Sequence, residues 1–211
     1  MALTDEATLA GDLAEHIAGH LAAAVREVAV DHGELVITTT ADDVLRVLSY
    51  LRDDSRCQFK ALMDLTVVDY PTRAARFDVV YILLSIATVQ RVRVKVATDE
   101  VTPVPSAVPV FSSAAWYERE AWDMYGVYFS EHPDLRRLLT DYGFEGHPLR
   151  KDFPLTGHVQ VRYDEVEKRV VQEPVKLAQD FRSFDYLSPW EGVTSLLPCY
   201  WKVKARVAGW L

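Results

Sequence analysis

The sequence predicts an α+β fold in which a mixed, largely antiparallel sheet packs with a few helices and is followed by an extended C-terminal arm. Two patterns support this prediction. Apolar residues recur at helical spacing in three segments, and β-branched runs bounded by turn residues lie between them. Regular periodicity fades after about residue 140, so we place an α+β body at residues 1–149 and the arm at residues 150–211.

The N-terminal part predicts a helix followed by a hairpin. A helix beginning near Thr8 is indicated by apolar residues at four-residue spacing. These residues are Leu9, Leu13, Ile17 and Leu21. The alternating valines at 28 and 30 and the β-branched run 35–40 flank an Asp-His-Gly turn, which is typical of a hairpin.

A second helix and three strands complete the predicted body. Asp42 and Asp43 favour a helix start, because acidic residues stabilise the first turn. The inward side of this helix would be Val44, Leu45, Leu48 and Leu51. Strands are predicted at 62–69, 77–86 and 91–97, and the last alternates valines with the basic residues Arg91, Arg93 and Lys95.

Further along, prolines in residues 102–109 predict an extended connector. A helix then begins near Ser112 or Ser113 and ends at Tyr125, where Gly126 provides the stop. Pro133 marks a second, shorter helix. Its apolar side would be Leu135, Leu138 and Leu139.

The arm is predicted to contain one hairpin, formed by residues 159–163 and 169–172. A lone hairpin cannot bury the aromatic side chains that follow it. These are Phe181, Phe184, Tyr186 and Trp190. We expect another protein to cover them.

Composition excludes several classes of function. A net charge of -8 opposes general attraction to nucleic acid or anionic lipid. Ten Lys and Arg against eight Asp and Glu make the arm net +2, which leaves the body at -10. Cys57 and Cys199 are too few for a four-thiolate iron–sulfur cluster, and they are expected to be reduced thiols. The sequence contains neither a Gly-x-Gly-x-x-Gly nor a Walker motif.

The third helix carries a carboxylate on its apolar side. When residues 114–128 are plotted at 100° each, Glu118 falls within the apolar arc. A carboxylate there needs a cation, several donors or a partner protein. We expect Glu118 to anchor this helix to the Arg-rich segment that follows. The nearest cations by sequence are Arg136, Arg137, Arg150 and Lys151.

The opposite side of the helix holds Trp116, Arg119, Glu120 and Asp123. Arg119 and Asp123 lie four residues apart and could pair. A solvated charged face and an interface with another subunit both remain open, although an aromatic residue among charges favours the interface. Glu120 and Asp123 with His132 could also form a metal or acid–base site.

Residues 148–154 form a Pro-bounded segment in which Arg150 and Lys151 lie between apolar residues such as Phe153. It is interpreted either as a charged surface loop or as a segment that docks on a partner, because preset proline geometry lowers the cost of ordering.

Two stretches of sequence are more specific than any of these patterns. Residues 118–139 read EREAWDMYGVYFSEHPDLRRLL, and residues 146–171 read GHPLRKDFPLTGHVQVRYDEVEKRVV. They closely resemble the C subunits of proton-pumping NADH:quinone oxidoreductase, respiratory complex I. Weaker similarity extends over nearly the whole chain.

The resemblance implies a non-catalytic structural and assembly subunit of the peripheral arm, on the cytoplasmic side of the bacterial inner membrane. Its partners would be the quinone-site (D) protein, which the C-terminal segment wraps, the iron–sulfur proteins B and I, and the large cluster-bearing (G) protein. FMN and the iron–sulfur clusters would belong to these and other partners, with no cofactor, metal or catalytic residue in this chain. The expected interface or structural anchors are Trp116, Glu118, Arg119, Glu120, Asp123, His132, Arg136, Arg150, Lys151, Phe153, Arg162 and Trp190.

Three alternatives remain. The chain could be the equivalent subunit of a related membrane-bound hydrogenase or formate-oxidising complex. It could be a stand-alone metal-dependent hydrolase built on Glu120, Asp123 and His132. Binding of nucleic acid through the basic face of residues 91–95 is disfavoured by the acidic body.

Overall fold

The computed structural model describes residues 2–182, with side chains from residue 11 onward. Within this range the chain divides into two compact units, and the division lies between Gly157 and His158. The predicted anchor Trp190, the neighbouring aromatic residues at 184 and 186, and Cys199 lie outside the described residues.

Within the described residues, the first unit contains three helices and seven strands. In chain order they are α1 (Ala2–His20), β1 (Val25–Asp31), β2 (Glu34–Thr39), α2 (Val44–Asp53), β3 (Ala61–Asp69), β4 (Phe77–Ser85), β5 (Gln90–Thr98), β6 (Val104–Pro105), α3 (Ala114–Tyr125) and β7 (Phe129–Ser130). The second unit contains β8 (Val159–Asp164) and β9 (Arg169–Pro174), which pair antiparallel as the predicted hairpin.

Five strands form one sheet in the order β1-β2-β5-β4-β3. The β2–β5 pair is parallel and the other three pairs are antiparallel. This arrangement confirms the predicted α+β class and the largely antiparallel sheet. The alternation in β5 is confirmed as well, because Val92, Val94 and Val96 are buried while the basic residues between them are not.

The core is closed by the apolar sides of the first two helices. Leu13, Ile17 and Leu21 of the α1 region are buried, as predicted. The buried residues of α2 are Val44, Val47, Leu48 and Leu51. Helix α1 begins at Ala2, so the prediction of a start near Thr8 is wrong. The preceding Ala, Leu and Glu residues favour helix by themselves, without an apolar stripe.

The connector after β5 contains the extended strand β6, which pairs in parallel with β7 and agrees with the prediction. One prediction for the residues that follow is wrong. The short helix predicted after Pro133 does not form. The amide groups of Leu138, Leu139 and Thr140 donate to the Asp123 carboxylate instead of to carbonyls within a helix.

Residues 2–182 contain no helix with both the length and the hydropathy that crossing a bilayer requires.

Candidate functional site

Helix α3 is fixed at its C-terminal end by groups from outside the helix. Gly126 adopts the left-handed conformation, with φ of 80°, and donates its N–H to the Trp122 carbonyl at 2.8 Å. The Arg150 guanidinium donates to the Tyr125 carbonyl at 2.6 Å. The ring of His147 lies 2.9 Å from the Asp123 carbonyl. These contacts satisfy carbonyl groups that have no partner within the helix.

Glu118 is fully buried, as the helical arc predicted. One carboxylate oxygen accepts a hydrogen bond from the Ser106 hydroxyl and the other from the Ala107 amide, both at 2.6 Å. Burial raises the pKa of Glu118 to about 7, although the two hydrogen bonds oppose that rise. The predicted cationic partner is therefore wrong: the donors come from the loop after β6.

His132 lies beside Glu118 but makes its hydrogen bonds to backbone groups. The two side chains approach to 3.8 Å. The Nε2 atom of His132 lies 3.0 Å from the Ala115 carbonyl, and its Nδ1 accepts a hydrogen bond from the Asp134 amide. Both nitrogens are already used within the chain.

Asp123 is also fully buried, and five donors converge on its carboxylate. The amides of residues 138–140 donate to Oδ2 at 2.8–3.1 Å. The Arg137 guanidinium and the Thr140 hydroxyl donate to Oδ1 at 3.0 and 2.7 Å. Burial raises the pKa of Asp123, but these hydrogen bonds outweigh burial and lower the pKa to about 2.

Arg119 faces the same segment and is almost fully buried. Its guanidinium donates to the carbonyl groups of Arg136 and Arg137, at 3.1 and 3.2 Å. The predicted pairing of Arg119 with Asp123 is thus wrong, as is a solvated face at these two positions. Helix α3 instead binds residues 136–140 through two side chains. The Arg119 guanidinium donates to backbone carbonyls, and the Asp123 carboxylate accepts from backbone amides.

Trp116 and Glu120 remain at the surface. Trp116 is 68% exposed and borders a cleft of about 510 Å³ between α3 and the segment after it. The residues that line the cleft are Ser113, Trp116, Tyr117, Glu120, Leu138 and Leu139. Glu120 is exposed and makes no hydrogen bond or ion pair with any side chain described at positions 11–182. It lies apart from the contacts of Asp123 and His132, so no common metal or acid–base site forms.

The Pro-bounded segment contacts the first unit through a cluster that the sequence did not predict. The guanidinium of Arg76 binds both carboxylate oxygens of buried Asp69, at 2.7 and 2.8 Å. It also binds Asp152 at 2.9 Å, and the Lys151 amide donates to Asp69 at 2.8 Å. Hydrogen bonds from Arg76 lower the pKa of Asp69. No local spacing pattern links positions so distant in sequence.

The remaining predicted anchors lie at separate places. Phe153 is tilted against the Phe144 ring, with centroids 6.0 Å apart. Arg136 is exposed and pairs with Asp134. Arg162 lies on β8, where it approaches Asp164 and Glu173 at 3.4 Å.

Comparison with known proteins shows the family. Residues 37–159 match the family described as the 30 kDa subunit of respiratory-chain NADH dehydrogenase. The C subunit of NADH-quinone oxidoreductase from Methylorubrum extorquens is 63% identical over 186 residues, covering 88% of this chain and 85% of the relative. For the protein of the same name from Paramagnetospirillum magneticum, the identity is 65% over 182 residues, covering 86% and 92%.

A solved structure shares the fold. It is a chain of the membrane-bound sulfane sulfur reductase, an archaeal respiratory membrane complex. The TM-score is 0.59 at 24% identity, over 69% of this chain and 85% of the other. By the sequence relationships above, the chain belongs to the family of NADH-quinone oxidoreductase C subunits, the 30 kDa subunits of respiratory-chain NADH dehydrogenase.

Proposed function

We propose that this chain is a non-catalytic structural subunit in the peripheral arm of a proton-translocating NADH:quinone oxidoreductase, on the cytoplasmic side of the inner membrane. In this role it holds the quinone-site protein, the two smaller iron–sulfur proteins and the large cluster-bearing protein at fixed separations. FMN and the clusters belong to its partners in the complex. The observation that carries the proposal is the uncovered apolar face of the β8–β9 hairpin.

Alternate residues of the hairpin form that face. Val159, Val161 and Tyr163 share one side of β8, and Val170 lies opposite Tyr163 in the ladder. Each of the four side chains is more than half exposed. A two-stranded hairpin is marginally stable in water, and an exposed apolar face is typical of a surface that binds protein. Covering these side chains would contribute on the order of 1 kcal/mol each.

The cleft beside Trp116 supports a second contact within the same role. Its apolar lining and the unpaired Glu120 carboxylate fit a partner segment that carries an apolar side chain next to a basic one. Large aromatic residues of this kind are enriched at the centres of protein interfaces. The charge of Glu120 would favour a basic partner over an acidic one.

Fixed geometry is itself a contribution to electron transfer. The rate of tunnelling between redox centres falls steeply with their separation, so a subunit that holds its neighbours at constant distances maintains the rate without a reacting side chain. The internal use of Asp123, Glu118 and His132 is in keeping with that role.

Assembly measurements test the hairpin. Affinity-tagged full-length chain is expressed in its native host with Val161→Asp and Val170→Asp together, and solubilised membranes are analysed for co-purified subunits. We expect recovery of the quinone-site and iron–sulfur subunits to fall at least tenfold. Val166→Asp is the matched control, because Val166 is exposed in the hairpin turn. Normal assembly of the double variant would overturn the proposal.

The cleft is tested in the same experiment by Trp116→Ala. We expect a smaller loss of co-purified subunits, about three- to tenfold, with unchanged circular dichroism. Ile86→Ala, in the exposed turn between β4 and β5, is the control. Recovery with the subunits of a membrane-bound hydrogenase or a formate-oxidising complex would instead identify the alternative assembly.

A further inference from the structure

We propose that His16, Asp54 and Cys57 form a binding site for one Zn²⁺-type metal ion between α1 and the turn that follows α2. One potential ligand atom from each residue lies within 4.8 Å of the other two. The structural function proposed above assigns no role to these residues. The inference does not depend on that function.

One of the three side chains is fully buried, and the other two are partly exposed to solvent. Cys57 is fully buried, and the side chains of His16 and Asp54 are 10% and 19% exposed. Nε2 of His16 lies 3.2 Å from Oδ2 of Asp54. Imidazole, carboxylate and thiolate are the ligand types of zinc sites, and three protein ligands leave the fourth tetrahedral position for water.

The carboxylate is already oriented by its own turn. The amides of Arg56 and Cys57 donate to Oδ2 of Asp54 at 2.9 and 3.2 Å. Neighbours that fix a ligand in this way are characteristic of metal sites, because they lower the cost of ordering it. Asp54 is therefore positioned before an ion enters. The Tyr50 hydroxyl, 3.1 Å from Nε2 of His16, would turn away from that nitrogen when an ion binds it.

Charge balance favours a divalent ion. Thiolate and carboxylate together carry two negative charges, which one Zn²⁺ neutralises. Without an ion, the buried Cys57 side chain is a thiol with its S–H bond intact. Binding replaces that S–H bond by an S–Zn bond and releases the proton to solvent. His16 binds through Nε2 and carries its proton on Nδ1, so Arg56, now 3.3 Å from Nδ1, must swing toward solvent.

Proton release makes binding depend on pH, because a thiol gives up its proton when it binds a metal ion. Affinity should therefore rise with pH. The groups that face the site are His20, which packs against the His16 ring, Tyr50 and Arg56. None of them adds a negative charge near neutral pH.

The consequence would be a cross-link between elements far apart in sequence. His16 belongs to α1, whereas Asp54 and Cys57 lie 38 and 41 residues further along. A ligand that binds only the folded arrangement stabilises it in proportion to occupancy. Zinc would therefore hold α1 against the turn between α2 and β3.

The test uses purified full-length chain freed of metal by a chelator and titrated with Zn²⁺ against a chromophoric competitor at pH 7.5. We expect one equivalent to bind, and His16→Gln and Cys57→Ala each to weaken binding at least 100-fold. His32→Gln, at an exposed position in the turn between β1 and β2, and Cys199→Ser are the matched controls, and both should bind as the parent does. No stoichiometric binding at micromolar free Zn²⁺ would overturn the proposal.

The absorption spectrum of bound Co²⁺ tests the site even if the variants that lack a metal ligand do not fold. In the Cys199→Ser chain, Cys57 is the remaining thiol. Co²⁺ should then produce a thiolate-to-metal absorption band that one equivalent of Zn²⁺ removes. Absence of this band, or unchanged binding by Cys57→Ala, would show that the ion does not bind at this site.

Discussion

Replacing Asp123 by asparagine tests the central contact between α3 and residues 138–140. The substitution keeps the size of the side chain and removes its charge. An amide offers one acceptor oxygen, so Oδ2 can still accept from the backbone. Its NH₂ group would then face the guanidinium of Arg137, which donates to Oδ1 in the native chain. The Arg137 guanidinium and the Thr140 hydroxyl both lose the oxygen to which they donate, and the remaining hydrogen bonds lose their charge.

The structure allows the size of the effect to be worked out. The pKa of Asp123 is about 2, against an ordinary value of 3.8. That difference corresponds to about 2 kcal/mol of folding free energy, since one pKa unit is worth about 1.4 kcal/mol. Because the folded-state pKa is lowered, this stability is present above about pH 4 and is lost as pH falls toward 2. When the lost hydrogen bonds to Oδ1 are included, we expect Asp123→Asn to lower the free energy of unfolding by about 2–4 kcal/mol at pH 7.

Urea unfolding of the full-length chain, followed by circular dichroism at pH 7, measures this cost. Asp134→Asn makes the same chemical change on the surface, where Asp134 pairs with exposed Arg136. We expect that control to change the free energy of unfolding by less than about 0.5 kcal/mol. Equal losses in the two variants would refute the assignment of Asp123 as a buried anchor.

Two further predictions concern the same helix. The pKa of buried Glu118 is raised from 4.5 to about 7. As pH rises from 4.5 to 8, the native chain should therefore lose about 2–3 kcal/mol of folding stability relative to Glu118→Gln. A difference between the urea midpoints of the two chains that does not change with pH would contradict this. Gly126→Ala should cost about 2–3 kcal/mol in urea, because the new Cβ would lie 2.6 Å from both Arg150 and His147. Gly33→Ala, at φ of +83° in open space, should cost only about 1 kcal/mol, and equal losses would exclude the steric argument.

The regular elements were predictable because their signals are local. Alternating valines identify β5, and β-branched runs around Gly33 identify the first hairpin. The helical arc correctly predicted that Glu118 is buried. Each of these patterns lies within about a dozen residues, which is the range over which periodicity carries information.

Contacts between distant positions could not be predicted in this way. Pro133 is a valid local signal for a helix start, but the backbone amides that follow it bind a carboxylate about 15 residues earlier. Arg76 binds Asp69 and also Asp152, which lies 76 positions further along the sequence than Arg76. The expected cation for Glu118 was replaced by a hydroxyl and an amide from an apparently irregular connector. In each case side chains rather than periodicity determine the partner.

The same contacts support the proposed positioning role of α3. With a pKa of about 2, Asp123 is protonated in only about one molecule in 10⁵ at pH 7, so it is a poor general acid. His132 would have to break two hydrogen bonds before it could transfer a proton or bind a metal. The inner groups of the helix fix residues 106–107 and 136–140, which leaves Trp116 and Glu120 facing outward on a rigid base. A surface held in this way can keep a partner at constant distance, which is the property that the proposed function requires.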